Sequence, residues 1–266
     1  MRRLALVVAL AATSLPVHAQ WLNYRVPGVP RTKTGEVDLN APAPRAGNHP
    51  DLSGLWITED NRPCPPGGCA DMKVPQEFVN IGWSVKGGLP YQPWADELRK
   101  QRTQENRLHD PISFCKPAGI MRLHTIPLAR KVIQTPAQVT ILNEQNVWYR
   151  QIMTDGRPLP VDPLPTWNGY SVGKWEGDTL VVQSIGFRDD IWLDSSGSPM
   201  TSAAKITERF RRPRFGLLEV DVTVDDPGAY TRPWTVSLKQ PYLPDSDLLD
   251  YVCQENEKDA VHLRGQ

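Results

Sequence analysis

The sequence predicts a mainly β fold, an antiparallel β-barrel or alternatively a β-sandwich, with one surface helix and an irregular N-terminal arm. The first observation is the stretch Pro165–Phe187 (PTWNGYSVGKWEGDTLVVQSIGF), in which two β-rich runs flank a Glu176-Gly177-Asp178 turn. Gly tolerates the positive φ that a hairpin turn needs. The second observation is the alternation of apolar and polar residues in 217–224 and 234–238, which is the two-residue period of a strand with one buried face.

The other predicted strands are short and are separated by turn residues. They cover residues 51–57, 131–135, 138–144, 147–153 and 206–211. Together with the runs above they make roughly seven to nine antiparallel strands at short spacing, which is typical of a barrel or a sandwich. The sequence shows neither an internal repeat nor a βαβ pattern.

Pro93–Arg107 (PWADELRKQRTQENR) is the one predicted helix. Pro93 suits the first helical position, and the residues that follow are mostly good helix formers. Few of them are apolar, so we expect this helix to lie on the surface.

The N-terminus has the pattern of a secretory signal peptide over residues 1–19. Two arginines precede an apolar stretch, residues 4–15, that is too short to span a bilayer, and residues 17–19 fit the small-x-small cleavage rule. The predicted location is therefore periplasmic or secreted. Residues 20–50, rich in Pro, Arg, Gly and Asn, are expected to form an arm or linker before a single β-rich domain, residues 51–266.

The overall charge excludes one class of partner. The chain has 30 Lys and Arg against 30 Asp and Glu, so its formal net charge is zero. Proteins that bind nucleic acids usually carry a basic excess, so none is expected as a partner here. No stretch after the signal is long and apolar enough to predict an integral membrane segment.

Four cysteines, Cys64, Cys69, Cys115 and Cys253, follow the signal. An even count in an exported chain indicates disulfides, and the sequence leaves three pairings open. A metal site is the weaker alternative, because the spacing is not Cys-x-x-Cys and no His pair lies nearby. We therefore predict neither a metal nor a cofactor.

A charged residue on an apolar strand face is the main chemical clue. Glu208 alternates with Ile206 and Phe210, so it is predicted to point the same way as these two apolar side chains. A carboxylate in a barrel interior needs a partner or a raised pKa. Arg150, on the predicted inner face of another strand, is the candidate partner. The two form either a structural ion pair or part of a catalytic site.

The loop Arg188–Asp194 follows the hairpin and is a second candidate region, since loops at a barrel mouth often carry function. Asp190 is a candidate for acid–base catalysis, and Trp192 and Asp194 are candidates for ligand binding. The alternative is a solvated loop with turn-forming Asp residues.

Aromatic and polar residues near the hairpin complete the candidate site. Tyr170 is a further catalytic candidate, because its hydroxyl group can donate or accept a proton. The remaining candidates for ligand binding are Arg122, His124, Trp148, Tyr149 and Trp167. The alternative for the aromatic residues is cross-strand packing.

Several motifs resemble one family of exported bacterial β-rich proteins. The most specific are PTW-x-GYS-x-G-x-WEGDTLVV in the hairpin and ERFRRP in residues 208–213, and the resemblance covers roughly residues 50–266. It implies membership but no activity. Family members often carry Pro-His-Ser and then a second His, where this chain has Pro199-Met200-Thr201 and Lys205, so no His-dependent step is implied here.

The segment Gly54-Leu55-Trp56 is similar to the Gly-x-Trp start of lipocalin-like barrels. This resemblance implies a calycin-like β-barrel that holds a small, mostly apolar ligand inside.

These observations together predict an exported protein that binds a small aromatic or apolar molecule in a barrel pocket. The same residues predict a metal-free lyase or isomerase, in which Glu208, Asp190 or Tyr170 transfers a proton and Arg150 stabilises negative charge. The alternatives are a non-catalytic ligand carrier and a structural envelope protein.

Overall fold

The computed structural model describes residues 25–59 and 75–253. The predicted signal peptide and the loop with Cys64 and Cys69 lie outside the described residues. The strands of the described chain are β1 (Arg45–Ala46), β2 (His49–Pro50), β3 (Gly54–Trp56), β4 (Arg130–Gln134), β5 (Gln138–Asn143), β6 (Trp148–Met153), β7 (Tyr170–Glu176), β8 (Thr179–Ile185), β9 (Lys205–Arg214), β10 (Leu217–Asp225) and β11 (Trp234–Pro241).

Nine of these described strands form one sheet in sequence order, from β3 to β11, and the sheet curls into a nearly closed barrel. Its two edges meet where Trp56 bridges Tyr242. The Ile57 amide donates to the Pro241 carbonyl at 3.0 Å, and the Leu243 amide donates to the Leu55 carbonyl at 2.8 Å. The predicted β-barrel is thus confirmed, and the sandwich alternative is not what forms.

The alternation read from the sequence places the core. Every second residue of β9, β10 and β11 is buried over most of each strand. The barrel interior is therefore apolar over much of its length, and each fully buried aliphatic side chain contributes about 1.5–3 kcal/mol to stability.

The pairing of β6 with β7 differs from the expected antiparallel pattern. These strands run parallel and pair only at Ile152 with Ser171 and at Met153 with Val172. The connection between them, residues 154–169, contains four prolines, which cannot donate to a strand ladder. The chain therefore crosses back before β7 begins. Residues 148–151 of β6 do not pair with β7, so the two strands diverge on that side of their short contact.

Three α-helices and one 3-10 turn accompany the described sheet: α1 (Gln76–Val79), α2 (Pro93–Gln104), α3 (Gly119–Thr125) and the turn Pro111–Phe114. The predicted surface helix is α2, which ends three residues early because Asn106 and Arg107 adopt positive φ. α3 is an addition that the sequence did not predict, and all seven of its residues are buried.

The described part of the predicted arm, residues 25–50, packs on the barrel. The Phe215 amide donates to the Ala41 carbonyl at 2.8 Å, and the His49 ring stacks on Trp175 with centroids 4.6 Å apart. These contacts hold the arm over the turns of two hairpins.

A disulfide joins Cys115 to Cys253, which is one of the three pairings that the sequence left open. Such a bond is compatible with an oxidising compartment. None of the described helices has both the length and the apolar character needed to cross a membrane.

Candidate functional site

A groove opens in the barrel wall where β6 and β7 diverge, and it is called the β6–β7 groove below. Its volume is about 550 Å³. The described residues that line it are 147–151 and 166–171, with Pro117 and Met153. This volume lies within the range of about 300–1,000 Å³ that small-molecule sites usually have.

The β6–β7 groove brings together five of the residues predicted for the site. They are Trp148, Tyr149, Arg150, Trp167 and Tyr170. Four of them are aromatic, and Tyr149 is 64% exposed. Two of them lie on β6, Tyr170 begins β7 and Trp167 lies in the connection before β7. Their convergence is an effect of sheet topology that no local sequence pattern encodes.

Asn168 also lines the groove, although no sequence pattern predicted it as a site residue. Its Nδ2 donates to the Tyr149 carbonyl at 3.4 Å, which is long for a hydrogen bond. Its Oδ1 is shielded from solvent and has no partner among the described residues. The sequence signal that could have indicated Asn168 is its position between Trp167 and Gly169.

Gly169 fixes the shape of the turn that carries Trp167 and Asn168 into the groove. Its φ is +64°, and a Cβ atom there would lie 2.6 Å from the Ile185 carbonyl oxygen and 2.6 Å from the Phe187 ring. Only glycine combines this backbone conformation with such a close approach.

Behind the groove lies a buried chain of polar side chains, called the interior network. Arg150 Nη1 donates to Glu208 Oε1 at 2.8 Å, and Arg150 Nη2 also binds the second carboxylate oxygen. The same guanidinium donates to the hydroxyl groups of Ser171 and Ser184, each at 3.1 Å. The structure therefore pairs Glu208 with Arg150 inside the barrel, as the strand pattern predicted.

His124 extends the interior network to the far wall of the barrel. Its Nε2 lies 2.6 Å from Glu208 Oε1, and Gln240 Nε2 lies 3.0 Å from its Nδ1. Because the Gln240 amide nitrogen can only donate, Nδ1 accepts and Nε2 donates to the carboxylate, which assigns the tautomer.

The electrostatics favour a charged Glu208 beside a neutral His124. Burial opposes ionisation of Glu208, but the Arg150 charge and the hydrogen bonds from Arg150 and His124 outweigh it and lower the pKa to about 2. Burial lowers the pKa of His124, although the contact with Glu208 acts in the opposite direction. Glu208 is 0% exposed, so this geometry favours the structural interpretation of the pair, while its catalytic role stays a prediction.

The apolar half of the barrel interior is filled by side chains. The cavity among Val132, Ile141, Leu218 and their neighbours has a volume of only about 10 Å³. A cavity that binds benzene is larger by an order of magnitude, about 150 Å³. This part of the interior has no room for an aromatic ring.

Asp190 and Trp192 lie apart from the groove lining, at a hollow of about 450 Å³ between α2 and the loop after the hairpin. The Arg188 guanidinium binds the Asp190 carboxylate at 2.7 Å and lowers its pKa. Trp192 is buried under the Arg102 guanidinium, 4.5 Å from the ring centroid. The structure does not bring these two residues together with Glu208.

Asp194 and Arg122 are buried among the loops and helices beside the barrel. Asp194 accepts hydrogen bonds from the Ile81 amide at 2.9 Å and from the Ser198 amide at 3.0 Å. Burial raises its pKa. Arg122 binds Asp110 at 2.6 Å. Both side chains hold loops in place, and neither lines the β6–β7 groove.

The described residues contain no group of three or more His, Cys, Asp or Glu side chains arranged to hold a metal ion. The candidate site of this β-barrel protein is the β6–β7 groove with its aromatic and amide groups. No family model matches the chain, and a search of curated proteins found no match either.

Proposed function

We propose that this protein is an exported binding protein that holds a small aromatic or apolar molecule in the β6–β7 groove. The observation that carries the proposal is the convergence of Trp148, Tyr149, Trp167 and Tyr170 on one hollow of about 550 Å³. Aromatic side chains bury large apolar areas and stack on other rings, so such a lining favours a flat ligand.

The groove, rather than the barrel interior, is the proposed place of binding. The interior is occupied by apolar side chains at one end and by the interior network at the other. The proposal of export rests on the N-terminal signal pattern and is supported by the Cys115–Cys253 disulfide.

Calorimetric titration with toluene and phenol tests the proposal. We expect saturable binding that weakens at least tenfold in Trp167→Ala and in Tyr149→Ala, because each variant removes a wall of the groove. Because Tyr149 is 64% exposed, we expect Tyr149→Ala to fold normally, so its result stands even if the Trp167 variant misfolds. Trp83→Ala is the matched control, because Trp83 is 56% exposed and lies outside the groove lining. Absence of binding would refute the proposal and leave a structural envelope role. Equal binding by all variants would refute the β6–β7 groove as the site.

A metal-free lyase or isomerase is the second candidate function. The observation in its favour is that Arg157 Nη1 donates to the Tyr170 hydroxyl at 3.3 Å, at the edge of the groove. A hydroxyl group at this place can exchange a proton with a bound ligand, which is the step that acid–base catalysis requires.

Mass spectrometry of bound ligand, taken from the native host, separates an enzyme from a carrier. If the protein is an enzyme, the molecule changes during incubation with wild type and stays unchanged with Tyr170→Phe. Tyr149→Phe is the matched control and should retain turnover. A ligand that wild type leaves unchanged supports the non-catalytic carrier.

A further inference from the structure

We infer that the β6–β7 groove selects an uncharged ring that carries a hydroxyl group, and that it discriminates against a carboxylate of the same size. This inference rests on the proposed function and adds the chemical class of the ligand. Two features of the groove carry it, one electrostatic and one a matter of hydrogen bonding.

The electrostatic feature is the neutrality of the lining. Arg150 is the one charged residue among the described residues that line the groove. Its side chain is 2% exposed and both of its terminal nitrogens bind the Glu208 carboxylate. The lining therefore has no cation free to pair with an acidic ligand, and burying an unpaired carboxylate costs free energy.

The neighbouring cation at the groove edge is also engaged. Arg157 Nε and Nη2 bind the two carboxylate oxygens of Asp155. An acidic ligand would have to compete with this bond to gain a counter-ion. A neutral ligand meets no such requirement.

The hydrogen-bonding feature is the unpartnered carbonyl oxygen of Asn168. The amide nitrogen of Asn168 faces the Tyr149 carbonyl, so the atom left without a partner among the described residues is the acceptor Oδ1. A ligand hydroxyl can donate to this oxygen, whereas a carboxylate cannot.

Access to this oxygen requires rotation of the Asn168 side chain. Asn168 lines the groove and is half-buried, and the bond that holds its amide is 3.4 Å long. We expect a bound ligand to turn Oδ1 to the groove surface, where satisfying this acceptor favours the hydroxyl-bearing ligand.

A phenol has this chemistry, because it presents an uncharged ring to the aromatic side chains and a hydroxyl group to the acceptor. Calorimetric titrations with phenol, toluene and benzoate separate the contributions of the ring, the hydroxyl group and the charge.

For wild type we expect phenol to bind at least tenfold more tightly than benzoate and several-fold more tightly than toluene. Asn168→Ala should remove the advantage of phenol over toluene and leave toluene binding unchanged, which shows that the groove remains intact. Asn40→Ala is the matched control, since Asn40 is exposed and lies outside the groove.

Two results would overturn the inference while leaving the proposed function in place. One is benzoate binding as tight as that of phenol. The other is an Asn168→Ala variant that keeps the full preference for phenol over toluene. Failure of every ring compound to bind would instead refute the proposed function itself, and the inference with it.

Discussion

Glu208 is completely buried, yet its carboxylate stays ionised because a guanidinium and an imidazole surround it. The interior network that results spans the barrel from Gln240 to Arg150 and ends at the wall of the β6–β7 groove. Buried ion pairs rarely add much net stability, but removing one partner is costly because the other charge is then left unpaired. The network therefore fixes the position of Arg150 in the groove wall.

Glu208→Gln tests this role. The substitution leaves Arg150 buried without a counter-charge, so we expect the free energy of unfolding to fall by about 3–5 kcal/mol, measured by urea denaturation. Glu176→Gln is the matched control, because it breaks a pair with Arg209 whose side chains are 55% and 44% exposed. The free energy of unfolding of this control should fall by less than about 1 kcal/mol. Equal losses in the two variants would contradict a structural role for Glu208.

Acid should destabilise the protein in two steps. The pKa of Glu208 falls from its ordinary value of 4.5 to about 2 on folding. Its contribution, on the order of 3 kcal/mol, is therefore present above pH 4.5 and is lost as the pH falls towards 2. The pKa of His124 lies below its ordinary 6.5, so proton uptake by the unfolded chain begins to disfavour folding below that pH.

The free energy of unfolding, measured from pH 8 to pH 3 in wild type and in Glu208→Gln, separates these steps. The difference in free energy of unfolding between the two proteins should shrink below pH 4.5, because wild type then loses the stabilisation from ionised Glu208, which the variant already lacks. A difference that stays constant over this range would show that Glu208 is not held ionised by the fold.

At the scale of elements, alternation predicted the strands well, and it placed Glu208 and Arg150 on inner faces. It could not predict α3, because Gly119–Thr125 is buried on all sides, lacks an amphipathic period and has no side-chain cap. Nor could it bring His124 to Glu208, since the two are 84 residues apart. The parallel contact of β6 and β7 depends on the path of a proline-rich connection, so the groove was also beyond local sequence reasoning.

Substitutions of two glycines at positive φ distinguish the cost of backbone strain from the cost of steric overlap. Gly177→Ala in the β7–β8 turn should cost about 1–2 kcal/mol, because its added Cβ meets no atom within 4 Å and only the backbone is strained. Gly169→Ala should cost about 1–3 kcal/mol more, because its Cβ would overlap Ile185 and Phe187. Urea denaturation measures both. A loss at Gly169 no larger than that at Gly177 would contradict the close packing described at the groove.

At the scale of the whole molecule, the barrel is fastened where its two edge strands meet and again by the disulfide. Cys115 and Cys253 lie 138 residues apart. The Cys253 amide also donates to Asn146 Oδ1 at 2.9 Å, and Asn146 precedes Val147 of the groove lining. The disulfide thus ties the chain after the last strand to the segment that reaches the groove at Pro117.

Replacing both disulfide cysteines with serine should lower the free energy of unfolding by about 2–4 kcal/mol. The corresponding drop in Tm is roughly 5–15 °C by differential scanning calorimetry. The double variant is preferable to a reducing agent, because a reducing agent could also act on Cys64 and Cys69. An unchanged Tm would show that the closing contacts of the barrel suffice without the disulfide.

The position of the ligand site is the central claim, and amide chemical-shift mapping tests it most directly. We expect titration with phenol to shift the backbone signals of residues 147–153 and 166–171 in the ¹H–¹⁵N spectrum. The signals of Val132, Ile141 and Leu218 in the filled interior should stay in place. Shifts centred on these interior residues, or no shifts at saturating phenol, would contradict the assignment of the β6–β7 groove as the binding site.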